Sequence, residues 1–204
     1  MTRSTGSLIC VWVLSALLLT SCATTKLTSV WIDPSFQKPP HKIMVIGIAK
    51  KPVNKRLLED EFVKQIKARG TDAVASYTVM SDAKQENHAV IAEKMKGLGA
   101  DAVVISRLAS KKSVNTYVPG SFCFLPYKYG NWRDYYGYGS HSVHTPDYNE
   151  DEYALMETTL YDARDDNLIW SATSETEIRG SDQKDIKSYV HIMVDAMASN
   201  KLLK

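Results

Sequence analysis

From residue 42 to residue 106 the chain alternates between short apolar runs and segments whose apolar residues recur at helical spacing, and few architectures accommodate that alternation. Residues 42–49 contain Ile43, Met44, Val45, Ile46 and Ile48, a continuous apolar run of the kind found in strands covered on both faces. The next segment carries Leu58, Phe62 and Ile66 at i, i+4 and i+8, with Val63 beside them. Asn54 can cap this helix, Gly70 can stop it, and Asp60 with Lys64 makes a favourable i,i+4 pair on its outside. Residues 72–79 form a second strand candidate. A helix with Ile91, Met95 and Leu98 on one face follows, ending at Gly99, and residues 102–106 supply a third apolar strand. Strands alternating with helices at this spacing require right-handed crossovers and parallel pairing, so the first half reads β-α-β-α-β.

The second half changes period. Residues 153–162 and 168–178 alternate with a period of two, placing Ala154, Met156 and Leu160 on one face of the first strand, and Leu168, Trp170, Ala172 and Ile178 on one face of the second. The polar connection 163–167 has hairpin length, which predicts an antiparallel pair. Asp182 can cap a final helix whose buried stripe is Ile186, Tyr189, Val190, Met193 and Met197. Near the start, residues 30–32 read as a short strand ended by Asp33-Pro34, and Pro39-Pro40 marks a rigid connection. The fold class is therefore α/β: β-α-β-α-β, a β-hairpin and a C-terminal helix, forming a mixed sheet with helices packed on it.

The first residues predict an address. Arg3 precedes a mostly apolar stretch, residues 8–19, too short for the roughly 20 residues needed to span a bilayer but arranged like a secretory signal. Leu19-Thr20-Ser21-Cys22 at its end resembles the bacterial lipobox, which implies cleavage ahead of Cys22 and lipid attachment to its thiol. Two or more acyl chains hold a protein stably on a membrane. The alternative, an ordinary cleaved signal in which Cys22 is incidental, is left open by the motif. In Gram-negative lipoproteins an Asp after the Cys usually retains the protein at the inner membrane; here Ala23 follows, which favours the outer membrane.

The expected organisation is thus a signal peptide over 1–21, a tether over 22–29 and one α/β domain over 30–204. Residues 23–29 reach at most about 25 Å when extended, which keeps the folded part near the bilayer. Losing the signal removes Arg3 and moves the formal charge from +2 to +1. A nearly neutral chain does not present the clustered basic face that nucleic acid requires. Cys10 leaves with the signal and Cys22 is acylated, so Cys123 has no internal disulfide partner. A lone exported thiol can be buried and inert, can pair between chains or can act as a nucleophile.

Within the domain, an insert at about residues 117–148 fits neither helical nor strand periodicity. Phe122, Phe124, Tyr127, Tyr129, Trp132, Tyr135, Tyr136 and Tyr138 are interleaved there with Gly120, Gly130, Gly137 and Gly139. Rings with polar ends bury large area at small entropic cost and suit wet interfaces. The segment is a candidate contact surface for an envelope protein, a glycan or lipid headgroups; the competing reading folds its rings over the sheet edge. His141, His144 and Asp147 are the only loop residues with ligand-like spacing, and no H-E-x-x-H or second Cys/His cluster supports a metal. Phosphate-cradling glycine motifs and the G-x-S-x-G elbow are absent from the sequence, so no cofactor is expected. Asp33, Asp101 and Asp162 sit near strand ends, where a catalytic carboxylate can lie, yet each is equally placed to start a turn; no catalytic residue is assigned.

Several landmarks occur together: the lipobox, Val30-Trp31-Ile32-Asp33-Pro34, residues 42–47, Leu58-Glu59-Asp60-Glu61-Phe62, Gly99-Ala100-Asp101-Ala102, and Leu160-Tyr161-Asp162 before Leu168-Ile169-Trp170. In these the chain resembles small uncharacterised Gram-negative lipoproteins of the domain-of-unknown-function type. Its element order is more loosely similar to the N-terminal domain of TolB and the periplasmic domain of the curli secretion lipoprotein, both envelope assembly components. The resemblance implies a lipid-anchored, non-enzymatic binding or assembly component on the periplasmic side of the outer membrane. It touches the membrane through the N-terminal lipid. The alternatives are a periplasmic enzyme or small-ligand binder using a strand-end cleft, and a structural lipoprotein that oligomerises.

Overall fold

The computed structural model describes residues 25–81, 88–113, 131, 133, 152–178 and 180–204. They build a mixed six-stranded sheet with three helices packed on it. The strands are β1 (Thr25–Ile32), β2 (Lys42–Ile48), β3 (Asp72–Ala75), β4 (Ala102–Ser113), β5 (Glu152–Asp162) and β6 (Leu168–Glu177), in the order β1-β6-β5-β4-β2-β3. The helices are α1 (Pro52–Ala68), α2 (His88–Leu98) and α3 (Asp182–Ser199). As the period predicted, β2 pairs in parallel with β3 and β4, whereas β4, β5, β6 and β1 pair antiparallel in succession.

The two sheet faces bury separate cores. On one, Leu58, Phe62 and Ile66 of α1 and Tyr189, Val190, Met193 and Met197 of α3 pack against Ile43, Val45, Val104, Leu160 and Trp170. On the other, Ile91 and Met95 of α2 cover Met44, Ile46, Val103 and Ile105. These consecutive residues of β2 belong alternately to the two cores, which is why its sequence is continuously apolar. The T-shaped contact of Phe62 with Tyr189, centroids 6.1 Å apart, joins α1 to α3.

Several boundaries differ from the sequence expectation, each for a tertiary reason. Strand structure begins at Thr25, inside the span 22–29 expected as a tether. Thr25 Oγ1 lies 3.0 Å from Thr176 Oγ1, and Thr173 Oγ1 lies 2.8 Å from Thr28 Oγ1 and 2.7 Å from Ser29 Oγ, so β6 recruits polar residues that show no apolar alternation. β4 runs seven residues past its expected end, since β5 pairs with it from Asp162 back to Glu152. β3 stops at Ala75, where a 3₁₀ turn (Ser76–Thr78) takes over. A bulge at the β5–β6 hairpin, between the Leu160–Trp170 and Tyr161–Leu168 pairs, sends Leu168 to the α2 side and leaves Ile169 and Trp170 in the α1/α3 core.

Helix ends also shifted. α1 starts with Pro52 after an extended Lys51, so Asn54 falls inside the first turn and is not the cap; proline's fixed φ and missing N–H suit that first position. Likewise Ser181, with no side-chain cap bond, precedes α3, and Asp182 lies in its first turn, where a carboxylate complements the helix dipole. Gly70 (φ 89°) and Gly99 (φ 65°) do terminate α1 and α2 in left-handed conformation. Asp60 accepts a 2.6 Å bond from the Tyr77 hydroxyl rather than pairing with Lys64, whose ammonium faces Glu61 at 3.6 Å.

Candidate functional site

Two depressions lie at opposite ends of the sheet. At the end where β2 and β4 begin, a space of about 400 Å³ is bordered by Asp33, His41, Asp101, Asp162, Arg164 and Asn167, among others. All three strand-end aspartates thus meet one depression, and each is committed locally. Asp33 Oδ1 accepts from the N–H and hydroxyl of Ser35, both at 2.8 Å. The Asp101 carboxylate receives the N–H of His41 at 2.9 Å and of Lys42 at 2.9 Å, closing the entry to β2. Asp162 takes the backbone N–H of Arg164 at 2.8 Å and its Nη2 at 2.6 Å. That side-chain hydrogen bond is the main reason its carboxyl is held below the ordinary carboxylate value, against some desolvation. These carboxylates are turn and strand-end fasteners.

At the other end, where β2 finishes, a cleft of about 300 Å³ opens between β4–β6 and the amino ends of α1 and α3. Its lining includes Ile48, Leu58, Leu108, Met156, Ile178 and Ile186. Tyr189 forms the floor, where its hydroxyl sits 2.8 Å from Ser106 Oγ and also bonds Thr158 Oγ1. Burial pushes the Tyr189 hydroxyl's pKa upward, so it is a neutral hydrogen-bonding group. At the rim, Asn54 Nδ2 donates to Asp182 Oδ2 at 2.8 Å and Lys51 Nζ approaches the same oxygen at 3.4 Å. The Asn54 bond, ahead of the Lys51 charge, holds the Asp182 carboxyl below its ordinary value, against desolvation. An apolar interior with a polar rim can hold the apolar body of a ligand.

Buried charge at two places among the described residues escaped the sequence expectation. Glu59 is fully buried on α1 and accepts from Gly47 N at 2.9 Å, Ser76 Oγ at 2.8 Å and Tyr77 N at 3.1 Å. Burial raises its pKa, opposed by those three hydrogen bonds and the Lys55 charge. Gly47 makes the close approach possible: a Cβ there would lie 3.2 Å from Leu58 Cδ2 and 3.3 Å from Glu59 Cγ. The signal was present, because Glu59, Phe62 and Ile66 stand at i, i+3 and i+7 on the buried stripe. The second is the Arg107–Glu157 ion pair, 2.7 Å long with each side chain 2% exposed, on residues directly opposite in the β4–β5 ladder. Only the register could reveal it.

Cys22, the eight aromatic residues singled out between 122 and 138, and Cys123, His141, His144 and Asp147 lie outside the described residues. Two neighbours of those aromatics are described: Asn131 bridges Asn167, and Arg133 pairs with Asp166, both contacts falling on the β5–β6 turn. Among the described residues no three His, Cys, Asp or Glu side chains gather as a metal site, and no helix is long and apolar enough to cross a membrane.

No family model matches the chain, and no curated protein matches it. Solved structures do. A PelC variant dodecamer from Paraburkholderia phytofirmans is 11% identical, with TM-score 0.46, over 88% of this chain and 98% of that one. A second PelC dodecamer from the same organism is 14% identical, with TM-score 0.44, covering 85% and 96%. Lipoprotein GNA1162 from Neisseria meningitidis is 16% identical, with TM-score 0.40, covering 78% and 99%. With TM-scores below one half, these similarities leave the functional reading to the chain's own residues.

Proposed function

We propose that this chain is a lipid-anchored lipoprotein on the periplasmic side of the outer membrane, a non-enzymatic component that engages an envelope protein or glycan through residues 117–148. The observation that carries the reading is Leu19-Thr20-Ser21-Cys22 at the end of a short apolar run preceded by Arg3. The start of β1 at Thr25 supports it further: three residue steps span at most about 10 Å, so a lipidated Cys22 keeps the sheet against the leaflet. At the polar end, the aspartates that could have served chemistry are occupied in fastening strand ends, which favours binding over catalysis.

Replacing Cys22 by Ser tests the anchor. The expected result is an unacylated, unprocessed precursor; processing and membrane fractionation identical to the parent's overturn the reading. Replacing Trp132, Tyr135 and Tyr136 together by Ala tests the contact surface. Folding is expected to survive while capture of a partner in crosslinked membranes is lost, and unfolding of the variant would assign those rings to the core instead.

A further inference from the structure

We infer that the apolar cleft at the end of β2 seats one of the acyl chains carried on Cys22 of the same polypeptide. This rests on the lipidation reading above and deepens it. Geometry selects the occupant. Thr25, the first described residue, is joined through its hydroxyl to Thr176, and Thr176 lines the cleft. Cys22 stands three residues before Thr25, so it lies within about 10 Å of Thr25 and, adding the roughly 5 Å to the facing strand, within about 15 Å of the cleft wall, a span an acyl chain covers.

The chemistry fits a hydrocarbon. Ile48, Leu58, Leu108, Met156, Ile178 and Ile186 present apolar surface, and the hydroxyls of the floor are bonded to one another through Tyr189. A chain of methylenes entering this space displaces water from apolar walls and leaves the Tyr189 bonds intact. A volume of about 300 Å³ holds roughly ten groups of about 30 Å³ each, a large part of one acyl chain. At the rim, Lys51, Asn54 and Asp182 are bonded together and Lys111 pairs with Glu152 at 3.0 Å, so polar head atoms stay at the mouth. Tethering decides between this chain's own lipid and a free one. A covalently attached group faces the cleft at an effective concentration in the millimolar range and gives up little translational freedom on entering.

The test uses the full-length protein in membranes of cells fed a diazirine-bearing fatty acid. After irradiation, the protein is purified and its peptides mapped by mass. The expected product links the Cys22 peptide to peptides containing residues 154–156 or 182–189 of the same molecule. In Ile186→Trp and in Ala154→Phe, which fill the cleft, the linked fraction falls at least fivefold. The parent's map decides by itself if either variant fails to fold. Labelled acyl groups on Cys22 with no link to those peptides would overturn the seat while leaving lipidation standing, as would phospholipid adducts in the cleft in place of the internal link. Absence of any acyl mass on Cys22 would overturn the lipidation reading and the seat together.

Discussion

At the end of the sheet where β2 and β4 begin, Asp33, Asp101 and Asp162 sit within reach of water and fasten nearby backbone; at the end where β2 finishes, Glu59 and Tyr189 lie buried beneath an exposed polar rim and bond across elements. Asp101 holds two amides of one strand entry. Glu59 holds β2, α1 and the 3₁₀ turn together from a position with no exposure, and Tyr189 ties α3 to β4 and β5 beneath the cleft. The difference teaches that a carboxylate at a strand end says little by itself. What matters is whether solvent can replace it.

The comparison breaks if truncations at the polar end cost as much as those inside. The largest effect is expected on the sheet's α2-side face, where Arg107→Met removes the guanidinium that faces the buried Glu157 carboxylate and lowers unfolding free energy by about 3–5 kcal/mol. The double variant Arg107→Met with Glu157→Leu recovers much of that loss, and urea titration followed by Trp fluorescence measures both. Next comes Glu59→Leu, which removes the acceptor of three donors, two of them buried, and costs roughly 3 kcal/mol in the same assay. Tyr189→Phe is expected to cost about 1–2 kcal/mol, since Ser106 and Thr158 lose their shared partner. Asp101→Ala sharpens the contrast from the other side. It removes two hydrogen bonds, yet water reaches the freed amides, and the loss should stay near 1 kcal/mol.

A pH series separates the same two ends by sign. The Glu59 pKa is raised above its ordinary value of 4.5, so the folded chain holds that proton more firmly than the unfolded one. Its contribution is fully present below pH 4.5 and is lost as pH rises through the raised value; the stability difference between the parent and Glu59→Gln should decline over that interval. Asp162 behaves oppositely. Its lowered pKa gives a contribution present above its ordinary value of 3.8 and lost as pH falls through the depressed one, which Asp162→Asn removes. Thermal melts at stepped pH read both slopes, and equal slopes for the two variants would break the contrast.

Much of this was legible in the chain. The apolar stripes of α1 and α3, the doubly covered β2 and the β5–β6 hairpin all follow from local periodicity, because burial of a face repeats with the geometry of its element. Thr25 to Ser29, by contrast, carry no strand signal of their own, and their hydroxyl bonds to Thr173 and Thr176 exist only once β6 is in place. The cleft was equally illegible, since its walls come from α1, α3 and four strands far apart in sequence.

By itself, the amino-acid order determined the alternation that makes a mixed α/β sheet, the left-handed stops at Gly70 and Gly99, and the expectation of a lipid at Cys22. Tertiary structure alone decided that Arg107 is buried against Glu157, that three aspartates meet at one end, each bonded to nearby backbone, and that the first described strand begins beside an apolar cleft. The physical reason is range: backbone periodicity and left-handed turns are set by neighbours a few residues away, whereas burial of charge and the shape of a cavity depend on separate elements brought together along the chain, from Gly47 and Glu59 to the pairing of β1 with β6.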